Sequence, residues 1–329
     1  MDRRRIGRTA LEVTAISLGG AALGGLYRAV EREAAMAVME TGWDAGIRYF
    51  DTAPFYGFGL SERRMGDFLR SQRRADYVLS TKVGRILSAV PEDQIPDHGY
   101  VDPLPFRVDY DYSYDGIMRS FEFSLARLGL NRIDILYVHD IGAYTHGDEV
   151  NAGHMKDLLG SGLRALEELK RSGAISAYGL GVNEVPVCLD VMREAEIDCI
   201  LLAGRYTLLD RAAERDLLPL CRQTGTTLVV GGVFNSGILA TGAVPGANFD
   251  YGPASPDILD RVARMGEIAA EAKIDLAAAA LQFPLHEPAV STVLIGTAKR
   301  SSLERNLALF EPRLPADAFA AFDSVAINR

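Results

Sequence analysis

The sequence predicts an α/β fold, a (β/α)8 barrel, on three observations. Short apolar runs alternate with amphipathic helical stretches from residue 15 to residue 310, eight such runs can be counted, and no linker-like stretch divides them. The runs cover 15–20, 48–52, 77–82, 133–139, 175–182, 199–203, 226–231 and 292–296. Helical patterns separate most neighbours: 31–45 carries apolar residues at helical spacing, and 158–170 does the same before a stop at Gly173. With 329 residues and 48 % hydrophobic content, the chain can bury a core of this size, and residues 1–329 read as one domain. Two connections exceed the usual two to six residues, about 85–114 and 140–155, and both follow strands that end in polar residues. Loops after the strands build the mouth of a (β/α)8 barrel, so these two are expected to form substrate walls.

A net charge of -9 opposes any general affinity for nucleic acid or anionic membrane. No apolar run approaches the roughly 20 residues of a membrane span. Cys188, Cys199 and Cys221 fall in apolar patterns without metal-ligand spacing, which suits a reducing, cytoplasmic setting. His139, His146 and His154 have no ligand set around them, so no metal is expected. Oligomeric state is not readable.

Three predicted strand ends carry polar chemistry. Asp51 and Tyr56 lie in RYFDTAPFYG (48–57), Lys82 closes YVLSTK (77–82), and His139 closes IDILYVH (133–139). Singly, each has an ordinary structural explanation as a cap, a loop aromatic, a snorkelling lysine or a core histidine. Together, in this order and at these strand ends, they resemble the catalytic tetrad of the aldo-keto reductases, and the resemblance covers nearly the whole chain. It implies a proton-transfer role for Tyr56, a cation at Lys82 that lowers the phenol, an anchor for that cation at Asp51, and a hydrogen bond from His139 to the reacting oxygen. It also implies that RIGRTALEV (5–13) forms an N-terminal β-hairpin closing the barrel floor.

The resemblance implies a nicotinamide cofactor, although no G-x-G-x-x-G fingerprint follows the first strand. GLGVNE (179–184) is similar to the family's carboxamide-binding motif, but Asn183 stands where the family has Ser, Glu184 where it has Asn and Ala203 where a Gln is common, so either Asn183 takes over the contact or the amide is held differently. GGVFNSGIL (231–239) is similar to the pyrophosphate loop, with Phe234, Ser236, Gly237 and Leu239 as contacts. LIGTAKRSSLERN (294–306) is similar to the adenosine segment and contributes Gly296, Thr297, Ser302 and Asn306. Gly296 and Ser302 stand where NADP-dependent relatives carry cations, which implies NAD, while Lys299 and Arg300 keep NADP open.

GGAALGGLY (19–27), the long segment after Lys82, VHD (138–140) and GRYTLL (204–209) together resemble the subgroup of D-threo-aldose 1-dehydrogenases, L-fucose dehydrogenases and pyridoxal 4-dehydrogenases. The expected reaction is oxidation of a cyclic hemiacetal to a lactone, first on an aldose and alternatively on pyridoxal. Tyr27, Phe106, Arg107 and Tyr112 are the expected substrate contacts. A Schiff-base aldolase using Lys82, or a non-catalytic regulatory protein on the same barrel, are the readings from other classes.

Overall fold

A computed structural model describes residues 1–328. Eight parallel strands close a barrel in chain order: β1 (Ile16–Gly19), β2 (Tyr49–Asp51), β3 (Val78–Val83), β4 (Ile135–His139), β5 (Ala177–Val182), β6 (Cys199–Ala203), β7 (Thr227–Gly231) and β8 (Val290–Gly296). Each of the eight expected runs overlaps a barrel strand, two of which extend past the run: β3 by one residue at its end and β8 by two at its start. The register brings their C-terminal residues to one rim: Gly19 pairs with Asp51, Lys82 with Tyr137, His139 with Gly181 and Ala203 with Gly231.

Alternation along the strands creates two cores. Inside the barrel, Tyr49, Ile135, Tyr137, Cys199, Leu201 and Val229 pack together. The strand pair Arg3–Arg5 and Glu12–Thr14 is the expected hairpin, and it brings Ile6 and Val13 into that interior cluster, plugging the floor. At Gly179 a Cβ would stand 1.6 Å from the Cys199 carbonyl oxygen, so the interior admits no side chain there. Outside the barrel, helices bury one stripe each. Arg32–Asp44 presents Ala35, Val38, Met39 and Gly42 at the spacing read from the sequence.

Both long connections are ordered differently from loops. Arg85–Ala89 pairs antiparallel with Phe106–Tyr110, from Arg85 opposite Tyr110 to Ala89 opposite Phe106. Residues 143–157 form a helix, Ala143–Asp157, kinked at Gly147, which runs through a π turn at Leu158–Gly162 into Leu163–Arg171. Among the described residues no helix is long and apolar enough to cross a membrane. Cys188, Cys199 and Cys221 are buried free thiols.

Candidate active site

Strand alternation turns Asp51, Lys82 and His139 into the barrel at its C-terminal rim, above a layer made by Tyr49, Ser80 and Tyr137. Lys82, 1 % exposed, donates from Nζ to Asp51 Oδ2 at 2.7 Å and to the Thr52 carbonyl at 2.9 Å. Ser80 Oγ donates to Asp51 Oδ1 at 2.6 Å, and the Tyr49 hydroxyl lies 3.0 Å from Ser80 Oγ and 2.9 Å from the Tyr137 hydroxyl. Both carboxylate oxygens of Asp51 are thereby engaged, as a buried charge requires. Tyr56 arrives from the turn after β2. That turn sits against residue 24 so closely that a Cβ at Gly57, whose φ is 63°, would meet the Gly24 carbonyl oxygen at 2.3 Å. The ring is consequently set 4.7 Å from Lys82 Nζ and edge-on to His139, with ring centroids 5.9 Å apart.

Burial dominates the electrostatics. The Asp51 carboxyl is pushed up by desolvation against the pull of Lys82. The Tyr56 phenol is raised well above its ordinary value, first by burial and then by Asp51, Asp140 and Tyr251, with Arg85 opposing. This corrects the expectation that Lys82 lowers it: the ammonium is neutralised by Asp51 at contact distance, so the pair offers the phenol little net charge. Burial, Arg85 and Lys82 hold His139 well below an ordinary imidazole, so it is neutral near pH 7. Its Nε2 lies 3.4 Å from Asp140 Oδ2, and its Nδ1 is buried without a hydrogen-bond partner among the described residues.

Tyr56, Lys82 and His139 open into a cavity of about 340 Å³ whose wall is largely aromatic: Tyr27, Phe55, His98, Tyr100 and Tyr251, with Asp140 and Asn183 as its polar members. Tyr27, an expected substrate contact, and Asn183, an expected cofactor contact, both line it. Phe106, Arg107 and Tyr112 are not part of this wall. Arg107 is exposed and paired with Asp109 at 3.2 Å, and Phe106 is half-buried at the end of the hairpin strand that pairs with Ala89. Tyr112 is wholly buried; its hydroxyl donates to the His139 carbonyl at 2.8 Å and lies 3.0 Å from His146 Nε2, supporting the end of β4 from behind. Phe55 and Tyr251 were missed; His98, Tyr100 and Asp140 come from the two long segments expected to form substrate walls but were not picked out as contacts. Asp140 had a signal, adjacency to His139 in the strand-end motif; Tyr251 had none, since it comes from the segment between β7 and the helix Pro256–Glu271.

Beside the cavity, and sharing Leu26, Tyr27, Ala203 and Tyr251 with it, runs a groove of about 540 Å³ lined by 232–237 and 294–296. Phe234, Ser236, Gly237 and Gly296 line it as expected. Leu239, 1 % exposed, belongs to the core instead, because the short helix Ile238–Thr241 turns it inward. Thr297 lies just past the groove, accepting from the Lys299 amide at 3.1 Å, and Ser302 and Asn306 are on the following helix, Arg300–Ala308. The groove fits an extended dinucleotide, because its floor is uncrowded. A Cβ at Gly237 would meet nothing within 4 Å, and one at Gly296 only the Gly19 oxygen at 3.6 Å. Among the described residues no cluster of His, Cys, Asp or Glu could hold a metal ion.

Residues 15–327 match the family model described as the aldo/keto reductase family. The chain belongs to that family. A pyridoxal 4-dehydrogenase of Microbacterium luteolum is 47 % identical over 98 % of this chain and 97 % of its own. A D-threo-aldose 1-dehydrogenase of a Pseudomonas species is 38 % identical over 94 % of this chain and 93 % of its own. Among solved structures, the holo form of an aldo-keto reductase from Bacillus halodurans superposes with a TM-score of 0.80 at 25 % identity, covering 100 % of this chain and 97 % of that one. As an aldo/keto reductase, the chain is an oxidoreductase that works on alcohol and carbonyl groups with a nicotinamide cofactor.

Proposed function

We propose that this aldo/keto reductase oxidises a cyclic hemiacetal to a lactone with NAD. The observation that carries the reading is the convergence of Tyr56, Lys82 and His139 at the base of an aromatic cavity that opens sideways into the cofactor groove. The anomeric hydroxyl gives its proton to Tyr56 acting as base, and neutral His139 hydrogen-bonds the reacting oxygen and holds the hemiacetal in place. Lys82, fixed by Asp51 and Thr52, keeps a buried ammonium beside the phenol ring as it becomes anionic. Bound nicotinamide supplies the hydride acceptor. Asn183 would hold its carboxamide, Phe234, Ser236 and Gly237 its pyrophosphate, and Gly296, Thr297, Ser302 and Asn306 its adenosine. Ring closure already present in the substrate makes the product a lactone without an attacking water.

NAD is preferred over NADP because Gly296 and Ser302 offer no cation to a 2′-phosphate, and Arg300 is held by Glu304 at 2.8 Å. Pyridoxal in its hemiacetal form is the first substrate. Flat faces of Phe55, Tyr100 and Tyr251 suit a heteroaromatic ring, and the 47 % identical relative carries that name. An aldose, the first expectation from sequence, is the second reading, favoured by the Asp140 carboxylate in the wall and by the 38 % identical relative. Schiff-base chemistry is disfavoured, since Lys82 is 1 % exposed and committed to two acceptors. One domain over 1–329 and a reducing, cytoplasmic setting complete the reading.

Absorbance at the NADH band, with pyridoxal, L-fucose and D-threo-aldoses against NAD and NADP, tests this directly, with the lactone identified by mass spectrometry. Reduction of simple aldehydes with NADPH, and oxidation of no hemiacetal, would overturn the hemiacetal reading and leave the family membership intact.

A further inference from the structure

Asp140 is a charged wall residue that the tetrad chemistry leaves over. It follows His139 at the end of β4 with φ at 47°, a left-handed conformation that Asp adopts more readily than most non-glycine residues. Arg85, 5 % exposed, packs its guanidinium 4.0 Å from the Phe55 ring centroid and donates to Asp140 Oδ2. Arg85 is the first residue of the hairpin strand that follows β3, so the clamp ties the hairpin to the rim. His139 Nε2 also approaches Oδ2, at 3.4 Å. Both neighbours fall on one oxygen. An ionised carboxylate offers acceptor sites on both oxygens, and Oδ1 has no hydrogen-bond partner among the described residues.

We propose that Asp140 is a specificity-determining residue whose free Oδ1 accepts a hydrogen bond from the substrate hydroxyl neighbouring the reacting carbon, with Arg85 as its positioning residue. This rests on the hemiacetal reading. Nδ1 of His139 is buried away from the cavity, which leaves Nε2 as the donor to the reacting oxygen; Nε2 stands beside the carboxylate, so the next oxygen along the substrate falls at Asp140. In an aldose that oxygen is the C2 hydroxyl; in pyridoxal it is the ring phenol. The shared requirement is a hydroxyl donor beside the hemiacetal carbon, and an unfilled buried acceptor penalises any substrate lacking it.

The test compares kcat/KM for L-fucose with 2-deoxy-L-fucose, and for pyridoxal with 3-deoxypyridoxal, in wild type and in Asp140→Asn. Asparagine tolerates the positive φ, and Arg85 would keep its amide oxygen, so the cavity would face a donor instead of an acceptor. Losing the hydroxyl should cost the wild type about 10- to 100-fold on the substrate it uses, and cost the variant less than about threefold. Arg85→Met with Asp140→Gly removes the pair without an unpaired charge or backbone strain, and should abolish the discrimination equally; NADH fluorescence titration verifies that each variant is folded. Discrimination that survives in both variants, or that is missing from wild type, would overturn the proposal while hemiacetal oxidation stands. Absence of hemiacetal oxidation in wild type would instead fail the functional reading, and this proposal with it.

Discussion

A half-buried phenol near two carboxylates is a proton donor at neutral pH and becomes a base only as pH rises. Because the Tyr56 phenol is raised in the free site, oxidation should climb with pH through about 7 to 9 while carbonyl reduction stays flat or falls. A flat oxidation profile over that range would remove Tyr56 as the base. Tyr56→Phe should retain NADH binding by fluorescence and lose about 10² to 10⁴ in kcat. Lys82 answers to a different logic. Its ion pair with Asp51 is buried on both sides, so Lys82→Met strands a carboxylate and should cost about 3 kcal/mol of stability as well as turnover. Adding Asp51→Asn should restore most of the stability and none of the activity; recovery of both would make the pair merely structural.

Between β3 and the helix Tyr114–Leu128, the segment 85–110 is a hairpin whose connecting loop gives His98 and Tyr100 to the cavity wall, while Arg85 acts through Asp140 and Phe106 and Arg107 stay outside. Phe106→Ala and Arg107→Ala are therefore expected to leave kcat/KM ratios among hemiacetals within about twofold. Tyr112→Phe should lower thermal stability by about 1 kcal/mol through its lost hydrogen bond to the His139 carbonyl. Strands were legible because each is a short apolar run bounded by polar or glycine residues, and every expected run overlaps one. Asp51, Lys82 and His139 were legible as strand ends, since position on a strand fixes the rim a residue reaches and its parity fixes the face. The hairpin was not, because proline and acidic residues between its strands read as loop, and its pairing is settled by contact with the barrel rim. Leu239 shows the same limit on the cofactor side, where one turn of helix decides between groove and core. Charge placement at the groove edge is more direct: Gly296→Lys with Ser302→Arg should move kcat/KM toward NADP, and an unchanged ratio would locate the 2′-phosphate elsewhere.

Over the whole molecule, the same burial that keeps His139 neutral for catalysis makes the fold sensitive to acid. His139 is held well below its ordinary value, and His146, beside His154 with ring centroids 4.5 Å apart, is lowered to about 4. An unfolded chain binds a proton at each of these groups near pH 6.5, whereas the folded chain refuses it until far lower pH. In that window the unfolded state carries more protons, so stability must rise with pH; on acidification it is lost progressively from about pH 6.5 down to about 4 for His146 and further for His139. The raised carboxyls of Asp51, Asp140 and Glu184 act in the opposite sense, since their folded forms take up protons first and partly offset the loss. The net slope is thus a contest that substitution can resolve. His139→Gln with His146→Gln should flatten the fall in Tm between about pH 6.5 and 5 relative to wild type, measured by calorimetry at constant ionic strength. An identical slope in the double variant would show that acid sensitivity does not reside in the two imidazoles.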